Sequence, residues 1–313
     1  MPSRGLEDQQ DMFKGCPVDR CVSTTDGLNA DAIYFEKGFH DPGHQRPANQ
    51  IWIWYSHESP MNWKRESTKY QSVFNWTVSY RRGSDLVNPY AKWVYYDPGQ
   101  TEWQGAYRNY AKGKSKQVAW FVSNCYAKNN RLEYAKKLGQ YIQVDIYGYC
   151  EAQYECRQEN WKDCFKMLRT TYKFYLAFEN SNCREYITEK FFENSLRHKV
   201  IPIVMGAPKE DYLLVAPKNS FIHVEDFDSP ADLAAYLHRI DRDDELYNSY
   251  FKWRGTGQFM TRTWSYCRLC AMLHDDYPPK TYENINDWFR EPDVCINGTW
   301  REYRQRKGGL NPL

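Results

Sequence analysis

Glu179, Asn180, Ser181, Asn182, Arg184, Glu185, Tyr186, Thr188, Glu189 and Lys190 follow one another directly after the apolar segment KFYLAF (173–178). An apolar run closed by such a polar cluster reads as a strand that ends and a helix that begins. In open α/β sheets, ligands bind beyond the C-terminal ends of the strands. A helix N-terminus attracts phosphate, and a lysine in its first turns adds a full positive charge. A carboxylate beside that lysine suits a ribose diol. The same residues fit a capped surface helix equally well, in which Glu185 and Glu189 form an unhelpful like-charged i, i+4 pair.

Two further strand ends offer chemistry. Ser123-Asn124-Cys125 through Arg131 follows VAWFV, and Arg131 could clamp a diphosphate from the opposite lip, or simply be a solvated helix charge. Glu58 follows IWIWYS (51–56) beside Trp52, Trp54 and Tyr55. A half-buried carboxylate there suits a general base; an exposed loop glutamate is the plainer reading. Gly255-Thr256-Gly257 lacks the third glycine of a dinucleotide fingerprint, and neither G-x-S-x-G nor a P-loop occurs. Cys267-x-x-Cys270 with His274 is half a zinc knuckle without its second pair, so disulfides, with Cys295 as a candidate partner, are expected there. Asp241, Asp243 and Asp244 have the spacing of a metal-holding D-x-D but read as a solvated helix end.

The elements that must position these residues are regular. DAIYFE (31–36), IWIWYS and FNWTVSYRR (74–82) read as strands. After the polar, Gly- and Lys-rich stretch 97–116, expected to be a linker, strands alternate with helices. QVAWFV (117–122), QVDIYG (143–148), KFYLAF, KVIPIVMG (199–206) and SFIHVE (220–225) are the strands. RLEYAKKLGQYI (131–142), DCFKMLRT (163–170), EYITEKFFENSLRH (185–198) and a helix capped by Ser229 with Pro230 at its first position are the helices. That alternation predicts a parallel sheet covered on both faces.

The chain has 313 residues and 42% hydrophobic content, enough for two domains. Its net charge of +2 gives no footprint for bulk nucleic acid or anionic membrane. Ten cysteines point to disulfides and an oxidising compartment, with Cys16 and Cys21 expected to bridge locally. Two glycosylation sequons, at Asn75 and Asn297, agree. Residues 1–15 carry no apolar signal core and no run approaches the ~20 apolar residues of a membrane span. The sequence is therefore expected to begin downstream of its targeting segment.

The stretch KFYLAFENSNCREYITEKFFENSLRHKVIPIVMGAP (173–208) resembles the donor motif of the inverting α1,3-fucosyltransferases. FNWTVSYRRGSDLVNPY (74–90), VAWFVSNC (118–125) and YCRLCAMLH (266–274) resemble further segments of that family. HESP, ENSNCREYITEKFF and DDELYNSYFKWRGTG are most similar to its invertebrate members that act on the N-glycan core. Gly83 departs from the Asp that many relatives carry. The resemblance implies an α/β fold with two Rossmann-like domains facing across a cleft (GT-B type). The expected division is a stem-like segment 1–30, an acceptor domain 31–112 lacking its first strand, a GDP-fucose domain 113–275 and a tail 276–313.

It also implies an enzyme that transfers L-fucose from GDP-β-L-fucose, in α1,3 linkage, to the innermost GlcNAc of N-glycans by a single inverting displacement. The alternatives are Lewis-type fucosylation of N-acetyllactosamine, or a silent glycan- or sugar-nucleotide-binding protein. By motif position, Glu58 is the base. Arg131, Asn180, Tyr186, Glu189 and Lys190 bind the donor, and Tyr80, Arg81 and Asp85 the acceptor. No metal ligand and no obligatory cofactor is implied; Mn2+ would at most stimulate. The implied partners are GDP-fucose and a glycoprotein acceptor, and the implied setting is the Golgi lumen, with an anchor as the only membrane contact.

Overall fold

The computed structural model describes residues 12–106, 108–150, 155–156, 160–261 and 263–308. The chain divides into two compact units, one of residues up to Pro89 plus Arg262–Pro292, the other of Tyr90–Thr261 plus the residues from Asp293 onward. The expected division at 112/113, with a tail from 276, is thus replaced by a chain that leaves the first unit and re-enters it. Residues 97–116 form no linker. Asn109 Nδ2 donates to Asp244 Oδ2 at 2.8 Å and Tyr110 N to Asn248 Oδ1 at 2.7 Å, so this polar stretch is bound into the second unit. The start of the expected stem (1–11) and the end of the tail lie outside the described residues.

The first unit is a four-stranded parallel sheet in sequential order: β1 (Ala32–Phe35), β2 (Ile51–Ser56), β3 (Trp76–Ser79) and β4 (Leu86–Val87). The unbroken apolar run of β2 follows from burial on both faces. Trp52 and Trp54 pack with Phe35, Phe74 and, from helix Ile285–Phe289, Ile285 and Phe289. Ile53, on the opposite face, packs with Trp76, Val78, Leu86 and, from helix Ser265–Leu273, Leu269 and Met272. Both covering helices come from the re-entrant segment.

Cys16 and Cys21 do not bridge each other. Cys16 joins Cys267 and Cys21 joins Cys270. Positions 267 and 270 are three apart on one helix and so share a face, which lets two short-range cysteines clamp one helix. Cys21, Cys270 and His274 are close enough to hold an ion, but the two sulfurs are bonded to each other and offer no thiolate.

The second unit opens with β5 (Lys92–Tyr95). Its main sheet comprises β6 (Lys116–Val122), β7 (Val144–Gly148), β8 (Tyr172–Phe178), β10 (Ile201–Met205) and β11 (Ile222–His223), all parallel. The spatial order is β11-β10-β8-β6-β7. Apolar layers cover both faces, one around Val118, Trp120, Leu176 and Ile203, the other around Ala119, Tyr175, Ala177 and Val204. The alternating strands and helices expected from sequence are present, and Ser229 Oγ accepts from Asp232 N at 3.2 Å as the anticipated cap. SFIHVE is a strand only at 222–223 and then tightens into a 3-10 turn, Val224–Asp226.

The expected helix 185–198 is different. The chain turns at Arg184 and Glu185, the latter at φ +64°, runs irregular through 186–188, and the helix that follows Glu189 is the π-helix Lys190–Leu196. Ser195 Oγ donates to Lys190 O at 3.1 Å and contacts Phe191 O, gripping the carbonyls five and four residues back. Buried Phe191, Phe192 and Leu196 fix this register against the sheet. Among the described residues no helix is long and apolar enough to cross a membrane.

Candidate active site

The strand order sets the place. From β6 the chain moves outward to β7, then returns across β6 to β8 on its other side. The crevice between the C-terminal ends of β6 and β8 is therefore the topological switch point, where doubly wound sheets bind ligands. The two stretches singled out in the sequence, 123–131 and 179–190, leave from these two strand ends.

Arg131 bridges them. It opens helix Arg131–Leu138 and is buried. One guanidinium nitrogen donates to Phe178 O at 2.6 Å, at the end of β8, and the other to Asn124 O at 3.0 Å, beyond β6. Its guanidinium also lies 5.7 Å from the Trp120 ring centroid. Its Nε is buried with no hydrogen-bond partner. Burial weakens its hold on the proton and Glu179 opposes that, but a guanidinium stays charged. Asn129, which sequence reasoning passed over, donates from Nδ2 to Glu179 O and Asn182 Oδ1, both at 3.0 Å, and its buried Oδ1 has no partner. Only an accounting of buried polar atoms finds it.

Glu179 is wholly buried. Its Oε1 accepts from Thr188 N at 2.8 Å; its Oε2 accepts from Thr188 Oγ1 at 3.0 Å and from Lys190 Nζ at 3.1 Å. Lys190 Nζ also donates to Thr188 Oγ1 at 2.9 Å and Glu189 Oε1 at 3.2 Å. Burial pulls the ammonium down, but the two carboxylates outweigh it and hold Lys190 above an ordinary lysine. Burial pushes Glu179 up, with Lys190 opposing. Glu189 is also pushed up by burial, but Lys190 and its hydrogen bonds bring it below the usual range. The side chain of Glu189 is 46% exposed, so this carboxylate, unlike Glu179, can turn outward. Asn180 and Tyr186 lie beside the cluster: Asn180 Nδ2 donates to Tyr186 OH at 3.4 Å, and its Oδ1 accepts from Ser181 Oγ at 2.9 Å.

The C-terminal segment, read from sequence as a tail, is built into this end of the sheet. β9 (Asn182–Cys183) pairs with β13 (Cys295–Ile296), and Cys183 is bonded to Cys295. β12 (Gly257–Met260) pairs with β5 instead. Asn182 Nδ2 donates to Gly298 O at 2.7 Å. Glu225 accepts from Trp300 N and Arg301 N at 2.6 and 2.9 Å, and Trp300 Nε1 donates to Gly206 O at 2.8 Å.

In the first unit Glu58 follows β2 and is half-buried. Its Oε1 accepts from Ser59 N at 2.7 Å, and its own N donates to Ser56 Oγ at 3.1 Å. The adjoining His57 contacts Asn88 O through Nε2 at 2.7 Å, which assigns the proton to that nitrogen because a carbonyl only accepts. Burial holds His57 below its ordinary pKa despite that bond.

The expected acceptor-side residues Tyr80, Arg81 and Asp85 all lie in the first unit. Arg81 donates to Trp288 O at 2.7 Å, pairs with Glu291 at 2.9 Å and stacks on Trp288. Asp85 accepts from Thr77 N and Oγ1, Tyr282 OH and Lys280 Nζ at 2.6–2.9 Å. Tyr80 is buried. The charges of Arg81 and Asp85 thus fasten the first unit to its own C-terminal segment. Asn75 Nδ2, where a glycan would attach, donates to Lys280 O at 2.9 Å, while its Oδ1 takes Trp52 N and Arg46. Asn297 is exposed, and the Thr299 of its sequon caps helix Trp300–Arg306. Of the three aspartates at 241–244, Asp243 and Asp244 are exposed, as a solvated helix end requires, and each takes its own partner: Lys173 and Gln117 for the half-buried Asp241, Leu246 N for Asp243, Asn109 for Asp244.

Comparison with known proteins gives two family matches along the chain. Residues 6–91 match the fucosyltransferase N-terminal family, and residues 111–288 match glycosyltransferase family 10 (fucosyltransferase), C-terminal. Glycoprotein 3-alpha-L-fucosyltransferase A of Drosophila melanogaster is 48% identical over 93% of this chain and 59% of its own length. The Homo sapiens 4-galactosyl-N-acetylglucosaminide 3-alpha-L-fucosyltransferase FUT5 is 37% identical over 82% of this chain and 66% of its own. The chain therefore spans about six-tenths to two-thirds of these relatives. A crystal structure of alpha1,3-fucosyltransferase with GDP-fucose superposes with a TM-score of 0.54 at 17% identity, covering 81% of each chain. One with GDP gives 0.57 at 16%, over 88% of this chain and 89% of that one. That likeness establishes a shared α/β fold. With both halves matched and a 48% identical relative along nearly its whole length, the chain belongs to glycosyltransferase family 10, the fucosyltransferases.

Proposed function

We propose that this chain transfers L-fucose from GDP-β-L-fucose, in α1,3 linkage, to the innermost GlcNAc of an N-glycan. The observation that carries the donor half is the paired cations Arg131 and Lys190 at the switch point, beside a carboxylate free to turn. In this reading Glu189 swings out to the guanosine ribose, which releases one hydrogen bond of Lys190 to the diphosphate. Asn180 and Tyr186 line the donor pocket. Glu58 removes the proton from the GlcNAc 3-hydroxyl as that oxygen attacks C1 of fucose. The C1–O bond to the diphosphate breaks, the anomeric centre inverts, and GDP leaves with its charge met by cations. No acid need protonate GDP, and these two cations supply the charge a metal would otherwise bring. Five disulfides among the described residues fit an oxidising compartment, the Golgi lumen in this reading.

The core acceptor rests on the Drosophila relative's name. Lewis-type transfer to N-acetyllactosamine is the second reading, favoured by the 37% identical human relative. Purified protein with GDP-fucose is to be offered a core N-glycan and N-acetyllactosamine separately. Transfer to the core alone is expected; transfer to N-acetyllactosamine alone defeats the first reading. Glu58→Gln is expected to abolish transfer while keeping GDP affinity, and retention of most activity removes Glu58 from the base role.

A further inference from the structure

A cavity of about 420 Å³ lies in the second unit, lined by Trp93, Arg197, Trp253, Arg254, Gln258 and Phe259 with two glycines. It sits at the C-terminal end of the π-helix whose first residue is Lys190, because Arg197 directly follows Leu196. The donor-site reading uses none of these residues.

The walls are built for an anion. The Arg254 guanidinium lies 5.0 Å from the Trp253 ring centroid and 5.7 Å from that of Tyr110, and it donates to Leu196 O at 3.1 Å. No carboxylate pairs with it among the described residues. Arg197 lies 5.9 Å from the Phe259 ring and pairs with Glu193 at 2.9 Å, a half-exposed ion pair that an incoming anion can displace. Positive charge accumulates around them. Lys199 is held below its ordinary range by burial and then by Arg169, Arg254 and Arg108. A guanidinium held against an aromatic face is pre-oriented for bidentate contact with an oxyanion.

The cavity is also too large and too aromatic for a bare ion. Trp93, Trp253 and Phe259 form an edge-to-face cluster with centroids 4.8–5.8 Å apart. Trp93 is 6% exposed and its buried Nε1 has no hydrogen-bond partner. Gly257 keeps the wall thin: a Cβ there would stand 2.2 Å from Val94 O and 2.9 Å from the Trp93 ring.

We propose that this cavity binds an anionic pyranose, its sulfate or carboxylate on Arg197 and Arg254 and its ring against the half-buried Phe259, which the buried Trp93 and Trp253 hold in place. The site is separate from fucosyl transfer and stands whether or not that reading holds.

Titration calorimetry of the whole chain with N-acetylglucosamine 6-sulfate, N-acetylglucosamine and inorganic sulfate tests it. The sulfated sugar is expected to bind saturably, at least tenfold more tightly than either the neutral sugar or the bare ion. Arg254→Gln and Arg197→Gln are each expected to weaken it tenfold or more with GDP affinity unchanged. The proposal is overturned if the sulfated sugar does not saturate, if the neutral sugar binds as well, or if sulfate alone binds as tightly. Wild-type affinity in both variants overturns it equally. The comparison of the three ligands on the unaltered chain decides the matter even where a variant fails to fold.

Discussion

Lys190 Nζ lies 3.1 Å from Oε2 of a glutamate, Glu179, that has no exposed surface. The lysine therefore serves two ends, neutralising a buried carboxylate and, in the proposed reaction, meeting a diphosphate. Removing one partner of a buried pair leaves an uncompensated charge and costs about 3–5 kcal/mol. Lys190→Ala is expected to lower stability by that order and to weaken GDP binding. Adding Glu179→Gln should restore much of the stability, because the buried group is then neutral, but not the GDP affinity. Urea unfolding and GDP titration of the three variants separate the roles. A double variant that binds GDP like the parent would reduce Lys190 to a structural counter-ion.

Gly206 stands behind the same glutamate. Its φ is +148°, and a Cβ there would lie 2.7 Å from both Cβ and Cγ of Glu179. Gly206→Ala thus combines backbone strain of about 1–3 kcal/mol with displacement of Glu179. Stability and GDP affinity are expected to fall together. At Gly83 a Cβ meets nothing within 4 Å, so Gly83→Ala should change both very little. Equal behaviour of the two alanine variants would contradict the packing argument.

The two disulfides from the N-terminal segment to helix Ser265–Leu273 should act non-additively. Each closes a loop of about 250 residues (separations 251 and 249). Closing a loop of that length is worth about 5 kcal/mol in chain entropy, but once one bond has closed it the other closes only a small ring, worth about 2–3 kcal/mol. Cys16→Ser/Cys267→Ser and Cys21→Ser/Cys270→Ser are each expected to cost the smaller amount. All four substitutions together should cost roughly 3 kcal/mol more than the sum of the two pairs. Global unfolding by denaturant measures this, and simple additivity would refute the shared-loop account.

The parts of the fold legible in sequence were those with a local cause. IWIWYS announced a strand, and Ser229-Pro230 announced a capped helix; both are present. The switch-point stretches followed from strand alternation alone. What failed was set by distant partners. The apolar period of YCRLCAML marks a helix, but not which sheet it covers. Cysteine spacing does not encode that Cys16 skips Cys21 for Cys267. EYITEKFFENSLRH has helical composition, yet Ser195 and the buried phenylalanines select a π register starting only at Lys190. Nor does local sequence show that Arg81 and Asp85 are met by Glu291 and Lys280, some two hundred residues later.

A last expectation concerns pH. Lys114 is half-buried, with Nζ donating to Tyr247 OH at 3.1 Å and to Lys199 O, and it faces Lys173, Lys199 and Arg169. Burial, then those cations, lower it from 10.5 to about 7. Between pH 7 and 10 the unfolded chain carries this proton and the folded one does not, so folding releases it and stability rises with pH. Below about 7 both forms carry the proton and the cost of the buried charge is fully present. The slope this residue contributes can reach about 1.4 kcal/mol per pH unit. Lys114→Met removes the titrating group without removing much volume. The difference in unfolding free energy, parent minus variant, should therefore climb as pH is raised from 7 to 9.5 and stay level from 5 to 6. Taking the difference cancels the opposing contribution of the buried tyrosines. Profiles that run parallel over the whole range would mean that Lys114 keeps an ordinary proton affinity in the folded protein.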